Sequence, residues 1–78
     1  MTDDIRYEIK QHIGVLSTNP NTKWTTEANI VSWNGTPPKL DVRPWGPDHA
    51  RMAKGITLTE EEARVLARAL GDYFGRQA

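Results

Sequence analysis

Lys39-Leu40-Asp41-Val42-Arg43-Pro44-Trp45, residues 39–45, alternates without a break, with Leu40 and Val42 on one side and Lys39, Asp41, Arg43 and Trp45 on the other. A period of two marks a half-buried strand. Pro44 has no N–H to give a ladder, so the strand ends, or lies at an edge, near this residue. Upstream, residues 24–33 carry Thr25, Thr26, Ile30, Val31 and Trp33, types that suit a pleated surface, and predict a second strand. Asn34-Gly35 between the two is a strong hairpin signal, although Thr36-Pro37-Pro38 calls for a connection longer than two residues. Further back, residues 7–16 alternate as well. Tyr7, Ile9, Ile13 and Val15 are expected on one face and Glu8, Lys10 and His12 on the other, with Gly14 marking a bulge or a close backbone approach. Ser17-Thr18-Asn19-Pro20-Asn21 then forms a turn cluster.

Downstream the pattern changes. Residues 46–54 read as a loop and Gly55-Ile56-Thr57-Leu58 as a short strand. Thr59-Glu60-Glu61-Glu62 is a capping box, in which the Thr59 hydroxyl accepts from the Glu62 amide and the Glu62 carboxylate reaches back. Its acidic residues suit the positive end of a helix dipole. The helix is expected to run to about Phe74, with Gly75 as its stop. The order is therefore β-β-β-β-α in a single domain over residues 1–78, with no internal repeat and no low-complexity segment.

Seventy-eight residues bury only about 60% of the surface that the unfolded chain exposes, so such a domain needs a staple. A disulfide is excluded because there is no cysteine, and a structural metal is not expected, since His12 and His49 are far apart with no Cys partner. Self-association remains. Leu66, Leu70, Tyr73 and Phe74, grouped with Ala63, Ala67 and Ala69, give the helix more apolar surface than one narrow stripe. They predict a homodimer interface. The acidic start Met1-Thr2-Asp3-Asp4 is unlike a signal sequence, and no run approaches a membrane span, so a cytoplasmic protein is expected, with association with the nucleoid compatible.

Net charge is zero, but residues 1–22 sum to −1, residues 23–57 to +2 and residues 58–78 to −1. The middle third is the mildly basic part. No nucleophile–base spacing and no phosphate-cradling glycine loop is present, and Glu60-Glu61-Glu62 reads as a solvated cap rather than an acid–base cluster. His49 has no evident orienting partner. An enzyme is not expected, and no cofactor is called for. The informative set is Lys23, Trp24, Asn29, Ser32, Trp33, Lys39, Arg43, Trp45 and Lys54. Unpaired bases stack on aromatic rings for about 1–3 kcal/mol each while Lys and Arg track phosphates. Strand positions two apart lie about 7 Å from one another, close to the repeat of an extended single strand. Against this, a tryptophan is more often core, and Arg43 could pair with Asp41 or Glu27 across strands. From the residues alone, single-strand binding and a docking patch for a transcription or replication partner both stay open.

Val31-Ser32-Trp33-Asn34, Pro38-Lys39-Leu40-Asp41-Val42-Arg43-Pro44-Trp45 and Lys54-Gly55-Ile56-Thr57-Leu58-Thr59 resemble successive signatures of the transcriptional positive cofactor four family, nearest to its bacterial YdbC-like branch. The resemblance runs from about Tyr7 to Tyr73. It implies an α+β fold, a curved four-stranded antiparallel sheet followed by one C-terminal helix, dimerising through that helix. It also implies sequence-tolerant binding of single-stranded DNA, with RNA as a second ligand and the transcription machinery as a further partner. By the resemblance, Lys39, Arg43 and Lys54 hold phosphates. Trp24, Trp33 and Trp45 stack on bases or shape the groove, and Asn29 and Ser32 make weaker polar contacts. A long Ser/Lys-rich regulatory tail, as in eukaryotic relatives, is not expected here.

Overall fold

A computed structural model describes residues 6–77; the acidic start Met1–Asp4 lies outside them. Four strands, β1 (Tyr7–Thr18), β2 (Thr25–Trp33), β3 (Lys39–Trp45) and β4 (Ile56–Leu58), precede one helix, α1 (Glu60–Gln77). They form an open antiparallel sheet in the order β1-β2-β3-β4. The α+β architecture expected from the pattern is the one observed. A single 3-10 turn, Pro47–His49, breaks the loop between β3 and β4.

Local chemistry fixes each connection. Between β1 and β2, the Asn19 side-chain oxygen accepts from the amides of Asn21 and Thr22, and the Asn19 amide donates to the Trp24 carbonyl at 2.8 Å. Asparagine is suited to such turns because its side chain can replace a backbone acceptor. Between β2 and β3, the Thr36 amide donates to the Trp33 carbonyl at 2.9 Å across Asn34 and Gly35. Both central residues have positive φ, 51° and 77°, the twist that hairpins favour and that Asn-Gly supplies.

Strict alternation fails in β1. Its ladder with β2 slips between Ile9 and Gln11, between His12 and Gly14, and between Val15 and Ser17. Each slip inserts one extra residue, Lys10, Ile13 or Leu16, and a bulge of this kind bends its strand. The inner face of β1 therefore carries Tyr7, Ile9, His12 and Val15. Ile13, expected with Ile9, instead borders Ala28 and Ile30 on the outer face. His12, expected with Glu8 and Lys10, faces inward and bonds to Asn29. One reading was close: the bulge foreseen at Gly14 lies at its neighbour Ile13.

The curvature is large. Tyr7 pairs with Trp33 and Trp45 with Thr25, at opposite ends of β2, about 27 Å apart on a straight strand. Even so, the Tyr7 and Trp45 ring centroids are 5.3 Å apart. The face carrying both is the concave one. Val31, Asn29, Asp41 and Trp45 are sealed there.

The helix begins as expected. The Thr59 amide donates to Glu62 Oε1 at 2.9 Å and the Glu62 amide to the Thr59 hydroxyl at 3.1 Å. It ends later than expected, at Gln77 rather than near Phe74, because Gly75 does not adopt the left-handed conformation that would stop it. Ala63, Leu66, Ala67 and Leu70 overhang the convex side of the sheet and leave an open apolar groove above Ala28, Ile30 and Leu40. Val65, Leu66, Leu70, Tyr73 and Phe74 are all exposed. No helix among the described residues is long and apolar enough to cross a membrane.

Candidate nucleic-acid interface

The concave face is built from alternate residues of the two central strands. Thr25, Glu27, Asn29, Val31 and Trp33 of β2 lie opposite Trp45, Arg43, Asp41 and Lys39 of β3. Four of these carry ionisable groups, and three of the four, Glu27, Asp41 and Arg43, are buried or half-buried on the face, where they would not be tolerated unpaired. Arg43 meets that demand for Asp41. Its Nε donates to both carboxylate oxygens at 2.9 and 2.7 Å, and Nη2 donates to Oδ1 at 2.6 Å. The same guanidinium lies 4.4 Å from the centre of the Trp33 ring, a cation–π contact that fixes the indole.

Glu27 is held differently. Its carboxylate accepts from the Thr25 hydroxyl at 2.6 Å, from the Asn29 amide at 3.3 Å and from His49 Nε2 at 3.0 and 3.1 Å. Burial alone would push the Glu27 carboxyl up, but the bonds from Thr25, His49 and Asn29, together with the charge of His49, hold it below its ordinary value. His49, without an evident partner in the sequence, thus has two: Glu27, and the Trp45 ring on which it stacks at 4.3 Å. His12 reaches the same cluster from β1, with Nδ1 2.6 Å from Asn29 Oδ1 and 3.9 Å from Glu27 Oε1.

Aromatic groups line the rest. Tyr7 lies between two tryptophans, 5.6 Å from Trp33 and 5.3 Å from Trp45. Trp45 is only 1% exposed and Trp33 is half-buried. Both indole N–H groups are buried without a partner.

The residues expected at the site are therefore distributed unevenly. Asn29, Trp33, Arg43 and Trp45 converge on the concave face, with Asn29 and Trp45 sealed inside it. Lys39 stands exposed at its rim and also borders the groove under the helix. Lys54 is exposed where the chain enters β4. Its place is set by Gly55, where any Cβ would collide with the Val42 carbonyl and Arg43, so only glycine lets the chain pass so close to β3. Among the described residues neither lysine has an ion-pair partner. Lys23 is exposed in the β1–β2 turn with φ of 68°. Trp24 packs on the β3–β4 loop, its ring over Gly46. Ser32 faces the convex side and donates to the Thr36 carbonyl at 2.6 Å, which ties down the hairpin turn. The helix residues Leu66, Leu70, Tyr73 and Phe74 stand away from this face.

Tyr7, His12, Glu27 and His49 belong to the face and were not singled out by the sequence. No spacing links them. They meet because bulges turn His12 inward and because the 3-10 turn brings His49 back over β2.

The family described as Transcriptional Coactivator p15 (PC4) matches residues 21–69, which contain β2, β3, β4 and the first half of the helix. A protein of Treponema pallidum (strain Nichols), itself described only as an uncharacterized protein, is 47% identical over 66 residues, covering 85% of this chain and 76% of its own length.

Proposed function

The chain belongs to the Transcriptional Coactivator p15 (PC4) family, and from that premise we propose that it binds single-stranded DNA, with little sequence preference, on the concave face of its sheet. The observation that carries this reading is the Trp33–Arg43–Asp41 unit with unpaired Lys39 and Lys54 beside it. An indole locked by a guanidinium is a ready platform for a base, and flexible lysines at a rim suit phosphates. Arg43, whose charge is matched by Asp41, acts mainly by holding Trp33. Lys23 extends the positive rim at the turn, Trp24 and Trp45 shape the walls, and Asn29 and Ser32 fix backbone and side chains around them. A concave, sharply curved sheet suits a flexible single strand better than a stiff duplex. RNA, which offers the same bases and phosphates, is a second ligand of this surface. Contact with the transcription machinery is the cellular setting, and the reading requires no catalysis.

We also propose that the molecule is a homodimer. Among the described residues of one protomer the buried side chains are three apolar ones, Ala28, Val31 and Trp45, against four polar ones, so these residues do not make an ordinary core. A second copy placed on the groove between α1 and the convex sheet would cover Leu66, Leu70, Tyr73 and Phe74, each contributing about 1.5–3 kcal/mol when fully buried.

Anisotropy of labelled oligothymidine tests the DNA reading. Binding should resist duplex competitor and weaken with salt at a slope of about −0.7 per phosphate contact. Trp33→Ala should cost about 1–3 kcal/mol, and Lys39→Ala with Lys54→Ala should lower the slope by about 1.4. Salt-independent binding, or none at micromolar protein, refutes the assignment.

A further inference from the structure

Both histidines of the chain, 37 residues apart, converge on one buried carboxylate on the concave face, and they are not equivalent. His49 takes up Glu27 directly, with Nε2 within 3.1 Å of both oxygens. His12 is held one step away, through Asn29, and its side chain is 54% exposed.

The orientation of Asn29 decides what His12 can do. Its Nδ2 donates to Glu27 Oε1, and a carboxylate can only accept, so Asn29 must turn its amide nitrogen toward Glu27 and its carbonyl oxygen toward His12. That oxygen can only accept as well. The proton shared in this 2.6 Å Nδ1···Oδ1 contact is therefore carried by His12 Nδ1. In the neutral ring Nε2 is then a bare acceptor, which repels a phosphate oxygen. One added proton converts Nε2 into a charged donor, on a ring already oriented by its other nitrogen.

We infer that His12 is a phosphate contact of this groove, resting on the single-strand reading above, and that it engages the strand only when its Nε2 carries a proton. The chain of bonds from Thr25 through Glu27 and Asn29 to His12 pre-organises the ring, so little freedom is lost on contact.

The charge balance favours such a role. The ionisable groups on this face are Glu27 from β2, Asp41 and Arg43 from β3, His49 from the loop, and Tyr7 further along β1 against Trp33 and Trp45, while Asp48, next to His49 in the chain, is exposed. Arg43 and Asp41 cancel one another. Glu27 can compensate one imidazolium, and His49 is the closer claimant. A proton on His12 therefore has only the more distant share of Glu27, at 3.9 Å, and its Nε2 is available to a phosphate. Glu8 and Lys10 of the same strand pair with each other at 3.1 Å away from this face.

The test is anisotropy of rhodamine-labelled oligothymidine, whose bases do not titrate in this range, with the full chain at constant ionic strength between pH 7.5 and 5.5. Binding should tighten by about three- to fivefold toward acid and its salt slope should steepen by about 0.7 per contact. His12→Gln, which keeps a donor for Asn29, should lose the acid gain. His12→Asn should do the same. In parallel, the titration midpoint of the His12 ring followed by NMR should move upward on saturation with oligothymidine, as linkage requires. Binding that is flat across pH, a gain that survives in both variants, or an unmoved midpoint overturns the role of His12 while leaving the groove assignment intact. No binding at any pH overturns the groove assignment itself.

Discussion

Glu27 is the residue on which the concave face is centred, and its ionisation sets a pH limit on the fold. Its folded carboxyl lies below the ordinary 4.5, so the native state favours the ionised form. The stability this supplies is fully present above about pH 4.5 and is lost as pH falls through the lower folded value. Urea midpoints should therefore drop on the acid side of 4.5. Glu27→Gln should flatten that part of the profile and cost about 1–3 kcal/mol at neutral pH, because His49 loses its charged partner. At this scale the sequence was only partly legible. The pairing of Arg43 with Asp41 was one of two options open from strand geometry, and the structure selects it. The convergence of His12 and His49 on Glu27 was invisible, since it depends on the inward turn of a bulged strand and on a loop closing over β2.

Among the elements, the helix start and β3 were read to the residue, since a capping box and unbroken alternation each depend only on near neighbours. Thr59→Ala removes one of the two reciprocal bonds and should cost about 1 kcal/mol, seen as earlier loss of the 222 nm ellipticity on heating. The exposed Arg64–Glu60 pair, an i,i+4 contact at 2.6 Å, adds only a few tenths of a kcal/mol and cannot replace it. β1 was misread for a physical reason. Alternation assumes one residue per rung, and three extra residues in twelve carry Ile13 outward and His12 inward. A repeat of about three residues, at Ile9, His12 and Val15, was present in the sequence, but no feature of Lys10, Ile13 or Leu16 announces a bulge.

At the scale of the whole molecule, the surplus of apolar surface on α1 was legible because a short chain without cysteine cannot bury it alone. What covers it was not, since one sequence gives no partner geometry. If a second copy does, Leu66→Glu with Leu70→Glu should halve the mass seen by sedimentation at micromolar concentration and lower thermal stability, whereas an unchanged mass would remove the dimer reading. The bulges in β1 have a consequence for association of another kind. β1 is an edge strand of twelve residues with Ile13, Val15 and Leu16 exposed, a length and composition that ordinarily invite further strands to add and fibrils to grow. Its free backbone groups are interrupted every three residues, so an incoming strand finds no straight run long enough to hydrogen-bond along. The opposite edge, β4, is only three residues long. The irregularity that hollows out the groove thus also protects the sheet from propagating into aggregates, and straightening β1 by deleting Lys10, Ile13 and Leu16 would give up both at once.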